Sequence, residues 1–174
     1  MLGALMGDYI GSRFELNPIN TKDFKIFDLR SRMTDDSYLS LAVCRVLLRN
    51  YPIQYDKEHL KKIQCELKNE FVQTWLKHQD AGWGYLFFQW CGRVYRNRDS
   101  GPYNSFGNGA AMRISSVGWI ANSEEEVRTL SKAVTEITHN HPEGLKGAEC
   151  IAMCIFLARK GLSKAQIEDR VCNC

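Results

Sequence analysis

Four short stretches hold side chains whose types and spacing suit chemistry. The first is Thr34-Asp35-Asp36-Ser37. Adjacent carboxylates flanked by hydroxyls offer only hard oxygen donors, a set that fits Mg²⁺ or Ca²⁺ better than zinc. The same run also reads as a plain helix start, with Thr or Asp at the N-cap and acid in the first turn. The second is Gly3-Ala4-Leu5-Met6-Gly7-Asp8-Tyr9-Ile10-Gly11, followed by Phe14-Glu15. Its glycines fall on one helical face, for which tight packing against another backbone is the simple reading. Asp8 and Glu15 lie seven residues apart, so two helical turns would offer both carboxylates to one cleft.

The third stretch is Ser105-Phe106-Gly107-Asn108-Gly109-Ala110-Ala111-Met112-Arg113. Glycines around Asn108 permit unusual backbone angles and expose N–H groups. A helix starting behind them would add its positive end, giving a place for phosphate or ribose oxygens. Asn-Gly is equally a strong signal for a simple turn. The fourth is Thr138-His139-Asn140-His141-Pro142. A His-x-His pair can ligate zinc, and Cys150 and Cys154 follow, but this spacing matches no standard structural zinc site. The plain reading is that one histidine caps the next helix while the other is exposed. Cys172-x-Cys174 is a weaker pair still.

The elements that must position these residues read as helices. Leu39, Ala42, Val43, Val46 and Leu47 recur at three- and four-residue spacing, as one buried helical face requires. Leu60, Ile63, Leu67, Phe71 and Trp75 form a second stripe. Val127, Leu130, Val134 and Ile137 form a third, and Leu145, Ala148, Ala152, Ile155 and Phe156 a fourth. Boundaries agree: Ser123 with Glu124, Glu125 and Glu126 reads as a capping box with acid in the first turn. Pro142 suits a first turn, Arg159-Lys160-Gly161 a C-terminus, and Ser163 with Gln166 the start of another short helix. No alternating run predicts a strand, so the fold class is all-α. Asn17 to Met33 reads as loop. Asp80 to Gly109, rich in glycine and aromatic rings, reads as a long irregular segment of the kind that carries ligand loops, although core filling explains the rings as well.

Composition narrows the functional class. A chain of 174 residues, 44% hydrophobic and 25% charged, is long enough to bury a core and is not broadly disordered. No repeat or linker divides it, so a single domain over 1–174 is expected. The net charge of +3 is too mild for a nucleic-acid surface. Arg93, Arg96 and Arg98 around Tyr95 read as a solvated face, or as a contact for an anionic ligand or partner. Seven cysteines without framework spacing predict reduced thiols and a cytoplasmic location. Met1 to Ile10, broken by Gly3, Gly7 and Asp8, does not read as a signal peptide, and no apolar run is long enough to predict a membrane span.

Taken together and in order, Gly7-Asp8 with Gly11 and Glu15, Thr34-Asp35-Asp36, Ser105 to Arg113, and Thr138 to Pro142 resemble the ADP-ribosylglycohydrolase family. The resemblance runs from about residue 3 to about residue 165, and the Gly-Asn-Gly-x-x-Met-Arg stretch is its most specific part. It implies an all-α bundle that hydrolyses the glycosidic bond joining ADP-ribose to an acceptor, at a pair of Mg²⁺ ions. By resemblance Thr34, Asp35 and Asp36 are metal ligands. Glu15 and Asp36 are the catalytic carboxylates, and Glu15 is the one that closes over the substrate. Ser105, Gly107, Asn108, Gly109 and Met112 belong to the loop that holds phosphates and ribose. His139 and His141 line the ADP-ribose pocket, and aromatic residues between 83 and 106 are candidates to stack on adenine. The family's later Asp-x-Asp-Thr segment has no counterpart after Phe156. The resemblance therefore implies a chain lacking the family's C-terminal helices and its second ligand set. Such a chain would be a weakened hydrolase, a non-catalytic ADP-ribose-binding module, or one half of a split enzyme. It would expose apolar surface that favours self-association or a complementing chain.

Overall fold

Stripes of apolar residues wind into helices because only a helix puts every third and fourth side chain on one face while pairing its own backbone. The computed structural model describes residues 1–98 and 101–172, and every regular element among them is helical. In chain order these are α1 (Leu2–Gly11), α2 (Asp35–Arg49), α3 (Lys57–Lys77), α4 (Tyr85–Tyr95), α5 (Ser115–Ile120), α6 (Glu124–Thr135), α7 (Pro142–Arg159) and α8 (Lys164–Cys172). Short 3₁₀ turns at Ser12–Phe14 and Ala111–Arg113 follow α1 and precede α5.

Side chains mark the helix ends. Asp56 caps α3, its carboxylate accepting from the backbone N–H groups of Glu58 and His59 at 2.9 Å. Ser163 and Gln166 form a reciprocal box at the start of α8. At α6 the box is displaced by one residue: Ser123 accepts from the Glu126 N–H, but the Glu126 carboxylate accepts from Asn122 N–H and Tyr55 hydroxyl. Gly161, at φ +87°, ends α7 in the left-handed region that glycine adopts most readily.

The core runs from the α2–α3 pair to the α6–α7 pair. Leu39, Val43, Val46, Ile63, Leu67, Phe71, Leu130, Val134 and Ala152 are almost fully buried within it. One expectation fails here. Asp80 to Gly109 is not irregular throughout, because α4 occupies its middle. Burial decides this: Phe87 and Trp90 face the core, with Phe87 stacked on Trp83 and on Trp90. Those rings are filler rather than free stacking surfaces. Asn17 to Met33 is loop, as expected.

Helix α1 lies against α2 and buries none of its residues. A Cβ at Gly3, Gly7 or Gly11 would meet nothing within 4 Å, so tight packing on that glycine face is not realised among the described residues. Large exposed apolar side chains gather nearby, among them Leu2, Met6, Leu16, Phe27 and Leu29. The Cys172-x-Cys174 pair cannot be placed whole, since Cys174 lies outside the described residues; Cys172 is exposed.

Close packing against α7 instead requires Gly118 on α5. A Cβ there would lie 2.5 Å from the Ala152 carbonyl oxygen and 2.8 Å from Ile155 Cβ. Gly118→Ala should therefore cost about 1–3 kcal/mol through overpacking. Urea unfolding followed by helical circular dichroism should show the midpoint lowered, and an unchanged midpoint would contradict this packing.

Candidate functional site

The site begins at the N-terminus of α2. Its first N–H groups need acceptors, and the Thr34 side chain does not supply one. Asp8 does so from α1. One Asp8 carboxylate oxygen accepts from Thr34 N–H at 2.9 Å and from Ser37 N–H at 3.2 Å. The other accepts the Thr34 hydroxyl at 2.6 Å. The cap expected from Thr34 or Asp35 thus comes from another helix, and it draws Asp8 to the acid pair.

Beyond α1 the chain turns through Ser12–Phe14 and delivers Glu15 to the same place. The turn is pinned by Arg13, whose nearly buried guanidinium pairs with Asp28, donates to the Lys25 carbonyl and lies over the Phe14 and Phe24 rings. Ser12 hydroxyl accepts from Arg32 N–H. Carboxylate oxygens of Asp8, Glu15 and Asp36 fall within 4.8 Å of one another. Asp35 stands beside this trio, outside the group of three, and shares the wall of the adjoining cleft with Asp36. Thr34 is buried with its hydroxyl committed to Asp8.

Packing carboxylates together in a half-buried setting disfavours their charged forms. Burial, then Asp36 and Asp8, raise the Glu15 pKa. Burial and Asp8 raise that of Asp36. Burial, reinforced mainly by Asp36, pushes Asp35 up to about 7. A divalent cation would reverse this penalty. The donors are all hard oxygens, so the chemistry of the set fits Mg²⁺. His139 and His141 join neither Cys150 nor Cys154 in a ligand cluster among the described residues, so nothing supports a zinc centre there.

Next to the acids opens a cleft of about 430 Å³. Asp35 and Asp36 form one wall, Ser105, Gly107, Asn108 and Gly109 another, with Met112, Arg113, Tyr103 and His139 below and Tyr85 at the side. The loop is held from three directions. Tyr103 N–H donates to the Thr138 carbonyl, Asn104 N–H to the Asn140 side chain, and Ser40 hydroxyl to the Met112 carbonyl. Gly144, in the first turn of α7, lets the Ser105 carbonyl approach to where a Cβ would stand 2.7 Å away.

Two expectations about this loop change. Gly107 and Gly109 do not adopt left-handed angles; Asn104 does, at φ 52°. Gly109 is instead required by space, since a Cβ would come within 3.2 Å of the His139 ring. Behind the loop stands a 3₁₀ turn and then the six-residue α5, so no long helix dipole points at the cleft.

The two histidines separate. His141 caps α7 by accepting from Glu143 N–H and packs against Phe106; it does not line the cleft. His139 is buried on the cleft floor, not exposed. Arg113 was part of a legible motif, but its burial was not. It is wholly enclosed and has no carboxylate partner among the described residues. One guanidinium nitrogen donates to Thr138 hydroxyl at 2.6 Å, and the group lies 4.6 Å over the Phe71 ring. Burial lowers its pKa to about 10, leaving it charged at neutral pH. Burial and Arg113 together hold His139 down at about 3, so its ring is neutral.

Comparison with known proteins places the chain in a family. The model of the ADP-ribosylglycohydrolase family matches residues 1–173. The ADP-ribosylhydrolase ARH3 of Xenopus tropicalis is 26% identical over 186 residues, covering 92% of this chain and 49% of that protein. ARH3 of Mus musculus and of Homo sapiens are each 24% identical, covering 95% of this chain and 50% of theirs. The chain spans about half the length of these curated relatives. With the family model matched along nearly its whole length, the chain belongs to the ADP-ribosylglycohydrolase family.

Proposed function

We propose that this chain binds ADP-ribose on an ADP-ribosylated substrate and takes part in hydrolysing its glycosidic bond with Mg²⁺. One observation carries the reading. Asp35 and Asp36 share the walls of one cleft with a loop rich in backbone N–H groups, and Asp36 also belongs to the carboxylate trio with Asp8 and Glu15. Family membership and the likeness to proteins called ADP-ribosylhydrolases support it.

Asp36 and Asp35 would hold the metal, with Asp8 and Glu15 beside them and Thr34, bonded through its hydroxyl to Asp8, as the further oxygen donor. Bound Mg²⁺ would supply Lewis acidity toward ribose hydroxyls and water. The protein's own groups do the rest. Backbone N–H groups of Ser105 to Gly109 suit phosphate oxygens, and Asn108 and Met112 suit the ribose and its surroundings. His139 meets the ligand from the floor. His141 acts through the α7 start and the Phe106 ring rather than by direct contact. Tyr85, exposed at the side of the cleft, takes the adenine-stacking role. Cleavage builds oxocarbenium character on the ribose, which the carboxylates stabilise. Asp36 accepts the proton of the attacking water, and Glu15 is the second choice. The raised pKa of each makes it a stronger base than an ordinary carboxylate.

A second reading has its own support. Helix α1 buries no residue, and its glycine face meets nothing. A complementing chain, or a second copy, would cover that edge beside the acids; alone, the chain would bind ADP-ribose without turnover. Sedimentation should then show association through α1 that Met6→Lys weakens. A concentration-independent monomer would argue against it. No described helix is long and apolar enough to cross a membrane. We place the chain in the cytoplasm on the cysteine pattern.

Three outcomes follow. Release of free ADP-ribose from an ADP-ribosylated peptide should require Mg²⁺ and fall at least about 10²-fold in Glu15→Gln and Asp36→Asn. Equal rates in both variants would remove the assigned roles. Protons compete with the cation for Asp35, whose pKa stands near 7. Calorimetric Mg²⁺ affinity should therefore drop between about pH 8 and about pH 6. A carboxyl whose pKa is raised by folding costs the native state stability progressively as pH rises from its unfolded value of about 3.9, and the cost is complete above the raised value. Metal-free Asp35→Asn should therefore be more stable than the parent above about pH 7, by about 1 kcal/mol after allowance for solvent screening. A variant destabilised there would show that Asp35 is not under this strain.

A further inference from the structure

Arg113 is the least expected group in the molecule: a charged side chain, fully buried, with no carboxylate paired to it among the described residues. Its Nε and Nη1 find no acceptor among the described residues. A buried guanidinium is costly to keep, so its one short bond is informative. That bond runs from Nη2 to Thr138 Oγ1 at 2.6 Å, and Thr138 Oγ1 lies 2.8 Å from Nδ1 of His139.

Counting protons orders this cluster. Arginine only donates, so Thr138 Oγ1 accepts from Arg113. A threonine hydroxyl accepts twice and donates once. With Arg113 donating to one lone pair, the buried Thr138 hydroxyl has one acceptor for its own proton among the described residues, Nδ1 of His139. The reverse order, with Nδ1–H donating to Thr138, leaves the buried Thr138 proton without an acceptor among the described residues. The neutral ring must then carry its own proton on Nε2. No protein group bonds Nε2 among the described residues. The ring edge bearing it faces Gly109, and the ring lines the cleft.

We propose that Arg113 and Thr138 are positioning residues that lock His139 in its Nε2–H tautomer, presenting a fixed neutral donor to an acceptor oxygen of the ligand in the cleft. Arg113 does this without touching the ligand. It occupies the Thr138 lone pair that would otherwise invite Nδ1–H, and its charge opposes protonation of the ring. Gly109 leaves room for the ring to stand at that angle. The identity of the ligand rests on the ADP-ribose reading above; the tautomer does not.

The test is a long-range proton–nitrogen correlation spectrum of the ¹⁵N-labelled, ligand-free chain at neutral pH, with His139 assigned by its loss in His139→Gln. Wild type should show a protonated-type Nε2 and an unprotonated-type Nδ1. Thr138→Ser should keep that pattern. Thr138→Val, checked for helicity, should show averaged tautomers. A wild-type ring in the Nδ1–H form, an averaged wild-type ring, or a folded Thr138→Val protein with the pattern unchanged would each overturn the proposal. Adding ADP-ribose to the wild-type sample separates the two readings. A shift at Nε2 supports both, whereas the Nε2–H pattern with no response to ADP-ribose leaves the relay standing and removes the ligand.

Discussion

The Asp8 carboxylate does two jobs with one set of atoms. It accepts the N–H groups that α2 cannot satisfy itself, and in doing so it joins α1 to the bundle. Helix α1 has no buried side chain to hold it elsewhere. A cap supplied from another helix is worth about 1 kcal/mol or more, a large share of what fixes so lightly packed an element. The same bonds bring Asp8 beside Asp36, and the turn after α1 brings Glu15. The acid cluster is therefore a consequence of how α1 is attached. It stores repulsion that raises the pKa of Glu15, Asp35 and Asp36, the usual condition of a site built for a cation.

Across the cleft the polar groups follow a different logic. Arg113, Thr138 and His139 are sealed in the interior, between the loop and the end of α6. Their hydrogen bonds are made within the protein, so the donor they offer is set before any ligand arrives. Glycines make this compact arrangement possible: Gly109 admits the His139 ring, and Gly144 admits the Ser105 backbone. One wall is thus acidic and poised for a cation, while the other side of the cleft is rich in donors. A ligand with hydroxyls on one side and phosphates on the other matches that polarity.

Much of this was legible in the sequence, and the failures have physical reasons. The four apolar stripes became α2, α3, α6 and α7, because helical periodicity is a direct record of burial on one face. The stretch holding α4 was misread because its helix is packed with rings and glycines, which weaken the local signal while tertiary burial of Phe87 and Trp90 decides the outcome. The acid pair was visible at Thr34 to Ser37, but its cap was not, since a bond spanning 26 residues leaves no local pattern. Asp8 had been paired with Glu15 by spacing alone, and the two do meet, although Glu15 sits past the end of α1. The roles of the two histidines could not be told apart from the motif. Pro142 hints that His141 is a cap, but only the fold shows His139 buried against Arg113.

The central claim is that the acid cluster and the loop form one site, each completing the other around a single ligand. Calorimetric titration with ADP-ribose tests it most directly, comparing the chain with and without Mg²⁺ and its Asp36→Asn variant. The account predicts binding strengthened by Mg²⁺ in the parent, and Mg²⁺-independent, weaker binding in the variant. Binding of equal strength in all cases would show that the acids and the loop do not share a ligand.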